Sequence, residues 1–313
     1  MTAGGLDRRL PAGDEIFLDH VAHFVADADA AARALAQAGF TTTPQSIQVN
    51  PGAGGGPPLP TGTGNVTAML DRGYIEFLFK TADTPLAKQF DTAMARYRGL
   101  HLVAFAVADA AGTHARLATA GFALQPVVDM QRPVETPDGT GIAAFSIVRP
   151  QPGEMPEGRI QALTHRTEST VWQQRWLAHR NGATGLLDVV IVEPDVGEAA
   201  ARFARFLGRP AAFDRYGQSI TLDRGRVQFM SSLMLAESLP GLEIPALPFI
   251  CAYGIAVRSL AATAACLDAG GSAFTRRPGC LVAPFPAALG DGCWAFVEDA
   301  AALPWRGRSM RNF

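Results

Sequence analysis

The sequence predicts an α+β protein made of four β-α-β-β-β modules, and three observations support that fold class. One pattern occurs four times in the 313 residues: a short apolar strand, an acidic or small residue, an Ala-rich helix and then glycine. Each occurrence is followed by further strand-like segments separated by short turns. Hydrophobic residues make up 48% of the chain and charged residues 18%, which is typical of a folded protein with a large core and excludes a disordered chain.

The first two occurrences of the pattern are the most alike. Leu18 to Phe40 and Leu100 to Phe122 align without a gap and share a Val-Ala-Asp step and a final Ala-Gly-Phe. The third extends from Leu187 to Arg209, and the fourth, which has diverged furthest, extends from Ala252 to Gly271. Apolar residues at strand positions followed by an aspartate, as at Asp27, predict a strand that leads into a capped helix. The glycine near each end predicts where that helix stops.

Further strand-like segments follow each helix, and two of them are identified in each module. They are residues 65–70 and 74–79, 142–148 and 159–165, 218–223 and 226–232, and 280–285 and 293–299. Alternating or continuous apolar residues bounded by Gly, Asp or Pro favour strands over helices in these segments.

Net charge and motifs limit the partners that the chain is expected to have. With 27 Lys and Arg against 29 Asp and Glu, the net charge is −2, so no basic field favours nucleic acid or an anionic membrane surface. No apolar run has the length of a membrane span or a signal peptide. No glycine-rich phosphate loop or dinucleotide fingerprint occurs, so no nucleotide cofactor is expected. We expect a small-molecule ligand or substrate. The sequence does not decide between a monomer and a homodimer.

Four cysteines occur, and none forms a Cys-x-x-Cys pair. They are Cys251, Cys266, Cys280 and Cys293. Their spacing matches no zinc motif, so we expect buried free thiols and a cytoplasmic protein.

Three features together resemble the vicinal oxygen chelate superfamily, which includes glyoxalases, extradiol dioxygenases and fosfomycin-resistance proteins. They are the β-α-β-β-β module, an H-x-x-x-x-V-x-D segment beginning at His20, and a Gly-Tyr-Ile-Glu segment ending at Glu76. Gly62 to Leu78 is particularly similar to proteins described as glyoxalase-like. The resemblance covers about Ile16 to Asp299, and it implies that modules pair around a cleft.

The resemblance predicts two paired-module domains. The first is residues 14–183, with modules at 14–82 and 98–168 and a bridging helix at 167–180. The second is residues 184–313, a degenerate pair with modules at 184–232 and 249–300. In the second pair the positions equivalent to metal ligands hold Asp188, Gln228, Ala252 and Phe296. This set does not make a catalytic metal centre, so we expect a structural duplicate, with an apolar pocket as the alternative.

In the superfamily, ligands for a divalent metal come from the first and last strands of each paired module. His20 and Glu76 occupy those positions in the first module and are the predicted ligands of Zn, Ni, Mn or Fe. A third ligand is needed, and the candidates for it are His101, Gln161 and His165. The ungapped alignment places Leu102 opposite His20, so His101 would need a β-bulge to face the same side.

The predicted function is a metal-dependent isomerase or lyase that acts on a small oxygenated substrate in the N-terminal cleft. Glu76, Gln161 and His165 are the predicted catalytic residues, with the ion polarising a carbonyl or enediolate. Dioxygenase chemistry is less favoured because it needs a second histidine ligand. The alternative, from another class, is a metal-free protein that sequesters a small molecule in the same cleft.

Overall fold

The structure of the protein is a computed structural model that describes residues 8–50, 52 and 56–306. The described residues form a mixed, sheet-rich α+β fold with sixteen strands and seven α-helices. No helix in this part of the chain is both long enough and apolar enough to cross a bilayer.

The order strand, helix and three strands occurs four times along the described chain. The first group is β1 (Ile16–Phe24), α1 (Ala28–Gln37), β2 (Ser46–Asn50), β3 (Leu59–Met69) and β4 (Tyr74–Lys80). After α2 (Pro85–Arg96), the second is β5 (Gly99–Val107), α3 (Ala110–Thr119), β6 (Val128–Thr136), β7 (Gly139–Val148) and β8 (Arg159–His165). After α4 (Glu168–Val171), the third is β9 (Ala183–Val192), α5 (Val196–Leu207), β10 (Ala211–Asp214), β11 (Gly217–Thr221) and β12 (Arg226–Met230). After α6 (Ser232–Ser238), the fourth is β13 (Phe249–Val257), α7 (Leu260–Ala269), β14 (Thr275–Arg277), β15 (Cys280–Pro284) and β16 (Cys293–Val297).

Side-chain caps begin the helix in each group. The carboxylate of Asp27 accepts a hydrogen bond from the Ala30 amide, and Asp109 and Asp195 cap α3 and α5 in the same way. Ser259 takes this role at α7. These caps satisfy amide groups that a helix N-terminus leaves without partners, so the local sequence determines where each helix starts.

The strands of the N-terminal half close into an eight-stranded barrel. Their order is β1-β4-β3-β2-β6-β7-β8-β5, and β5 pairs antiparallel with β1. In the C-terminal half, the order β10-β11-β12-β9-β13-β16-β15-β14 has no pairing between its two outer strands among the described residues. A bridge between Leu100 of β5 and Ile250 of β13 joins the halves into one sheet. Three isolated bridges also connect them, at Phe17–Arg224, Arg72–Gly185 and Gly99–Asp291.

Side chains fill the interior of the C-terminal half. Trp305 is fully buried there among residues of β9, β13 and β16. Its indole N–H donates to Asp188 Oδ2 at 3.0 Å, and the Arg306 guanidinium pairs with the same carboxylate. Trp305 and Arg306, which follow β16, therefore occupy the region that corresponds to the cavity of the barrel.

The continuous helix predicted for residues 167–180 is not formed. One helical turn, α4, is followed by extended backbone at Gln173 and a 3₁₀ turn at Gln174–Trp176. Tertiary hydrogen bonds replace those of a helix: the Trp172 indole donates to the Leu70 carbonyl at 3.1 Å, and the Gln173 side chain donates to the Glu135 carbonyl at 2.7 Å. The Trp172 side chain is nevertheless buried in the core.

A buried carboxylate pair lies between the halves. Glu157, from the loop before β8, and Glu193, from the end of β9, are both almost inaccessible, and Arg202 of α5 forms an ion pair with Glu157. Burial and the neighbouring Glu157 charge raise the pKa of Glu193 to about 9. Glu193 therefore keeps a proton in the folded protein that the unfolded chain releases above its ordinary pKa of 4.5.

We expect wild-type stability to fall as the pH rises from about 5 towards 9, because the folded state binds more protons than the unfolded state in this range. Glu193→Gln should raise the free energy of unfolding at pH 8 by about 1–3 kcal/mol and flatten this dependence. Urea denaturation at pH 5 and pH 8 measures both effects. The matched control is Glu198→Gln, which removes an exposed carboxylate from the same Arg202. An equal effect of the two substitutions would contradict the role of Glu193.

Candidate anion-binding site in the barrel

A small cavity of about 40 Å³ lies inside the barrel. Its polar lining comprises His20, Gln48, Asn65, Tyr74, Glu76, Gln131, Arg132, Arg149, Arg159 and Gln161. Since one water needs about 10–15 Å³ by this measure, the space corresponds to roughly three water molecules. The cavity therefore fits a small polar group.

A bulge in β1 positions the histidine of the cavity. The β1–β5 register shifts between Leu18 and His20, so Asp19 is the extra residue. The buried Asp19 carboxylate accepts from His20 Nδ1 at 2.7 Å and from His165 Nε2 at 2.9 Å. These hydrogen bonds hold the pKa of Asp19 well below its usual range despite its burial. Asp19 thereby fixes the His20 ring with Nε2 directed towards Glu76.

Glu76 lies on β4, next to β1. Its Oε1 accepts from the Asn65 amide at 2.6 Å, and its Oε2 is 3.5 Å from His20 Nε2. The carboxylate is 6% exposed and lines the cavity. Oε2 is therefore the oxygen that a molecule in the cavity can approach, with an imidazole nitrogen beside it.

Three arginines bring positive charge to the same cavity. Arg132 comes from β6, Arg149 follows β7, and Arg159 begins β8. Burial lowers the pKa of Arg149 to about 10 and that of Arg159 to about 9, while the negative charge of Glu76 opposes both shifts. Burial also lowers the pKa of Arg132. Among the described residues none hydrogen-bonds the Arg132 guanidinium, so its donors are available to a ligand.

The structure separates the predicted site residues into three locations. His20 and Glu76 line the cavity together, and Gln161 is also in its wall, where Oε1 accepts from Arg149 Nε at 3.0 Å. His165 is behind them, completely buried, and reaches His20 only through Asp19. His165 does not line the cavity, and its Nε2 is occupied by Asp19, so this geometry gives no direct support to the prediction that His165 completes a metal shell or contacts substrate.

His101 lies outside the barrel cavity. The β5–β8 register places Leu102 and Gln161 where β1 and β4 have His20 and Glu76. The β1–β5 register shifts at His101, but this bulge does not bring the side chain into the barrel cavity, because His101 lines the cavity under α2 instead. Its Nε2 donates to the Tyr97 carbonyl at 2.8 Å, and burial lowers its pKa to about 4. His101 is therefore not the third ligand.

The donor set does not fit a divalent metal ion. A catalytic ion takes about three protein donors, chiefly His nitrogens and carboxylate oxygens, and the cavity supplies two of these, His20 Nε2 and Glu76 Oε2. The Asn65 Oδ1 atom also lacks a hydrogen-bond partner, but it is a neutral amide oxygen and a weaker ligand. In residues 8–50, 52 and 56–306, no group of three or more His, Cys, Asp or Glu side chains is arranged to hold a metal. Gln161 is engaged with Arg149, and the guanidinium groups near Glu76 oppose a further cation.

The sequence analysis did not identify five residues that build the site. They are Asp19, Asn65, Arg132, Arg149 and Arg159. Strand alternation pointed Asp19 away from His20, and only the bulge reverses this. The arginines are far apart in the sequence, and closure of the barrel brings them together.

Comparisons with known proteins agree with this architecture. A family model described as "Glyoxalase-like domain" matches residues 18–207. A hypothetical protein from Staphylococcus aureus is similar in structure, with 9% identity, a TM-score of 0.63 and coverage of 90% of this chain and 98% of that chain. A mutant 4-hydroxymandelate synthase from Streptomyces coelicolor has 15% identity, a TM-score of 0.55 and coverage of 90% and 92%. A Mn(II)-bound glyoxalase from Novosphingobium aromaticivorans has 13% identity, a TM-score of 0.49 and coverage of 90% and 81%.

At these identities the first two likenesses show a shared fold. No curated protein matches the chain in sequence. The chemistry of the cavity therefore has to be argued from its own residues.

Proposed function

The chain belongs to the glyoxalase-like domain family of the vicinal oxygen chelate superfamily, as its motifs predicted, and from this premise we propose that the barrel cavity binds a small oxygenated anion and transfers a proton on it. The reaction class is isomerase or lyase chemistry next to a carbonyl group. One observation carries the proposal: the Glu76 carboxylate and the His20 imidazole share one cavity with three arginines.

The arginines explain why the ligand should be an anion. Guanidinium groups bind carboxylates through paired hydrogen bonds, and burial strengthens that attraction. Arg132 has free donors, while Arg149 uses Nε for Gln161 and keeps its terminal nitrogens for other partners. A 2-oxo carboxylate combines the required negative charge with a carbonyl group small enough for the cavity.

Proton transfer needs an acceptor and a means to stabilise the developing charge. Glu76 Oε2 takes a proton from the carbon next to the substrate carbonyl, and the electron pair moves onto the carbonyl oxygen. An arginine stabilises the resulting oxyanion. His20, held by Asp19, moves a proton between that oxygen and Glu76 through Nε2. Asp19 and His165 are positioning residues in this scheme.

The test is deuterium exchange into 2-oxobutanoate, followed by proton NMR in D₂O with chelator-treated protein. We expect exchange at C3 that changes by less than about twofold when Zn, Ni, Mn or Fe is added, because the donor set does not fit a divalent ion. Exchange that appears only after addition of an ion would overturn the metal-free proposal and favour a metal-dependent isomerase or lyase. Absence of both exchange and binding would overturn the proposed function.

Binding without turnover is the second candidate. It is favoured by the hydrogen bonds that already hold Glu76 through Asn65 and Gln161 through Arg149, because a preorganised polar wall is also what a binding protein requires. Calorimetric binding of 2-oxobutanoate with no deuterium exchange would select this candidate.

The division into domains is part of the same proposal. We assign residues 14–183 to a functional paired-module domain and residues 184–313 to a degenerate pair that supports it. This division is supported by Asp188, which lies at the position equivalent to His20. Its carboxylate accepts hydrogen bonds from Trp305 and Arg306, so it is not available to a ligand.

A further inference from the structure

A second cavity of about 290 Å³ lies beside the barrel cavity, under α2 and the loop that precedes β8. Its wall is rich in apolar side chains, including Phe24, Leu86, Ala93, Met155 and Ile160. We call it the outer cavity. It is several times larger than the barrel cavity, which has about 40 Å³.

Arg149 and Arg159 line both cavities. The Arg159 guanidinium stacks at 5.4 Å from the ring centre of Phe24 and at 5.1 Å from that of Phe90, and it donates to Gln89 at 2.9 Å. Aromatic rings on one side and the Glu76 charge on the other hold this cation at the boundary. An anion bound by the two arginines therefore has polar space on one side and apolar space on the other.

We propose that the ligand is an amphipathic anion, with its oxygenated head in the barrel cavity and an unbranched apolar tail in the outer cavity. This inference rests on the proposed function and adds the substrate class. The barrel cavity has room for a head group of roughly three water volumes, so any longer ligand must extend past the arginines. Tail burial between apolar walls then contributes affinity that grows with chain length.

Another cavity, of about 210 Å³, adjoins the barrel beside Arg132, and its lining disfavours an apolar tail. Its wall is mixed and more polar than that of the outer cavity: polar side chains alternate with Pro44, Pro133, Val134, Val171 and Trp176, and the polar ones are Thr43, Gln45, Ser46, Glu135, Thr140, Thr170 and Gln173. The outer cavity has two arginines at its boundary, and this one has Arg132 alone. The tail is therefore assigned to the outer cavity.

The experiment measures calorimetric Kd values for straight-chain 2-oxo acids of three to ten carbons. For the wild-type protein we expect Kd to fall about fourfold per added methylene until the outer cavity is filled. Ala93→Trp fills that cavity from α2 and should remove the gain for the long acids while leaving the Kd of the three-carbon acid within about twofold. Thr140→Trp, in the polar cavity, is the matched control and should keep the wild-type chain-length dependence.

The results distinguish failure of the tail inference from failure of the proposed function. If the three-carbon acid binds but Kd does not change with length, the tail inference fails and the proposed function stands. If Ala93→Trp leaves the gain intact, or only Thr140→Trp removes it, the tail is not in the outer cavity and the inference also fails. If no 2-oxo acid binds the wild-type protein, the proposed function fails as well. Unchanged binding of the three-carbon acid shows that each variant is folded.

Discussion

Glu76→Gln is expected to lower the rate of deuterium exchange into 2-oxobutanoate by about 10²–10⁴-fold, the usual contribution of a general base. The substitution keeps the side-chain size and an oxygen that can accept from Asn65, but it removes the proton acceptor. It also removes the negative charge beside three arginines, so the Kd of the acid should stay the same or decrease. A rate that falls while binding holds separates loss of the base from damage to the cavity.

The matched control for this variant is Glu135→Gln. Glu135 is an exposed carboxylate on β6 of the same barrel and lies outside the barrel cavity. Its substitution should change the exchange rate by less than about twofold. If the Glu76→Gln variant catalyses exchange at the wild-type rate, Glu76 is not the proton acceptor. His20, whose Nε2 faces the same space, would then be the candidate for that role.

The largest expected effect on stability is at Trp305. Trp305→Ala should lower the free energy of unfolding by about 3–5 kcal/mol, because it removes a fully buried indole and leaves a cavity among β9, β13 and β16. It also removes one of the hydrogen bonds to the buried carboxylate of Asp188. Guanidinium denaturation at neutral pH measures the change.

Two control variants separate the causes of that loss. Trp305→Phe keeps most of the buried volume and deletes the indole N–H, so a loss of about 1–2 kcal/mol would measure the hydrogen bond to Asp188. Trp176→Ala removes a half-buried tryptophan near the barrel and should cost clearly less than Trp305→Ala. Equal losses at the two positions would show that the C-terminal segment does not contribute specially to the core of its half.

The starts of the helices and the last two strands of each module could be predicted closely because they depend on neighbouring residues. The Asp27 cap begins α1 as the sequence indicated, and the 74–79 segment is β4, one residue longer. In the segment that connects the two halves, neighbouring residues alone did not predict the backbone correctly. Residues 167–180 were predicted to form a helix, but the Trp172 and Gln173 side chains donate to distant carbonyl groups, and the helix ends after one turn.

The candidate site was predicted in part for the same reason. His20 and Glu76 were identified from motifs, and the ungapped repeat placed Leu102 and Gln161 at the equivalent positions, which the strand register confirms. Alternation gave no indication that Asp19 would reach His20, because alternation assumes a regular strand and β1 has a bulge. The metal hypothesis depended on a third donor that neither His101 nor His165 supplies here.

By itself the sequence determined the α+β class, the family and the pair His20 and Glu76, because strand periodicity, helix caps and short motifs are encoded by residues close together in the chain. Only the tertiary structure decided the charge of the site. Arg132, Arg149 and Arg159 belong to separate strands or their ends, and they surround Glu76 because the barrel closes between β1 and β5. Electrostatic interactions depend on distance in space, so a cavity that looked from its motifs like half a metal centre is, in three dimensions, a site lined by three arginines.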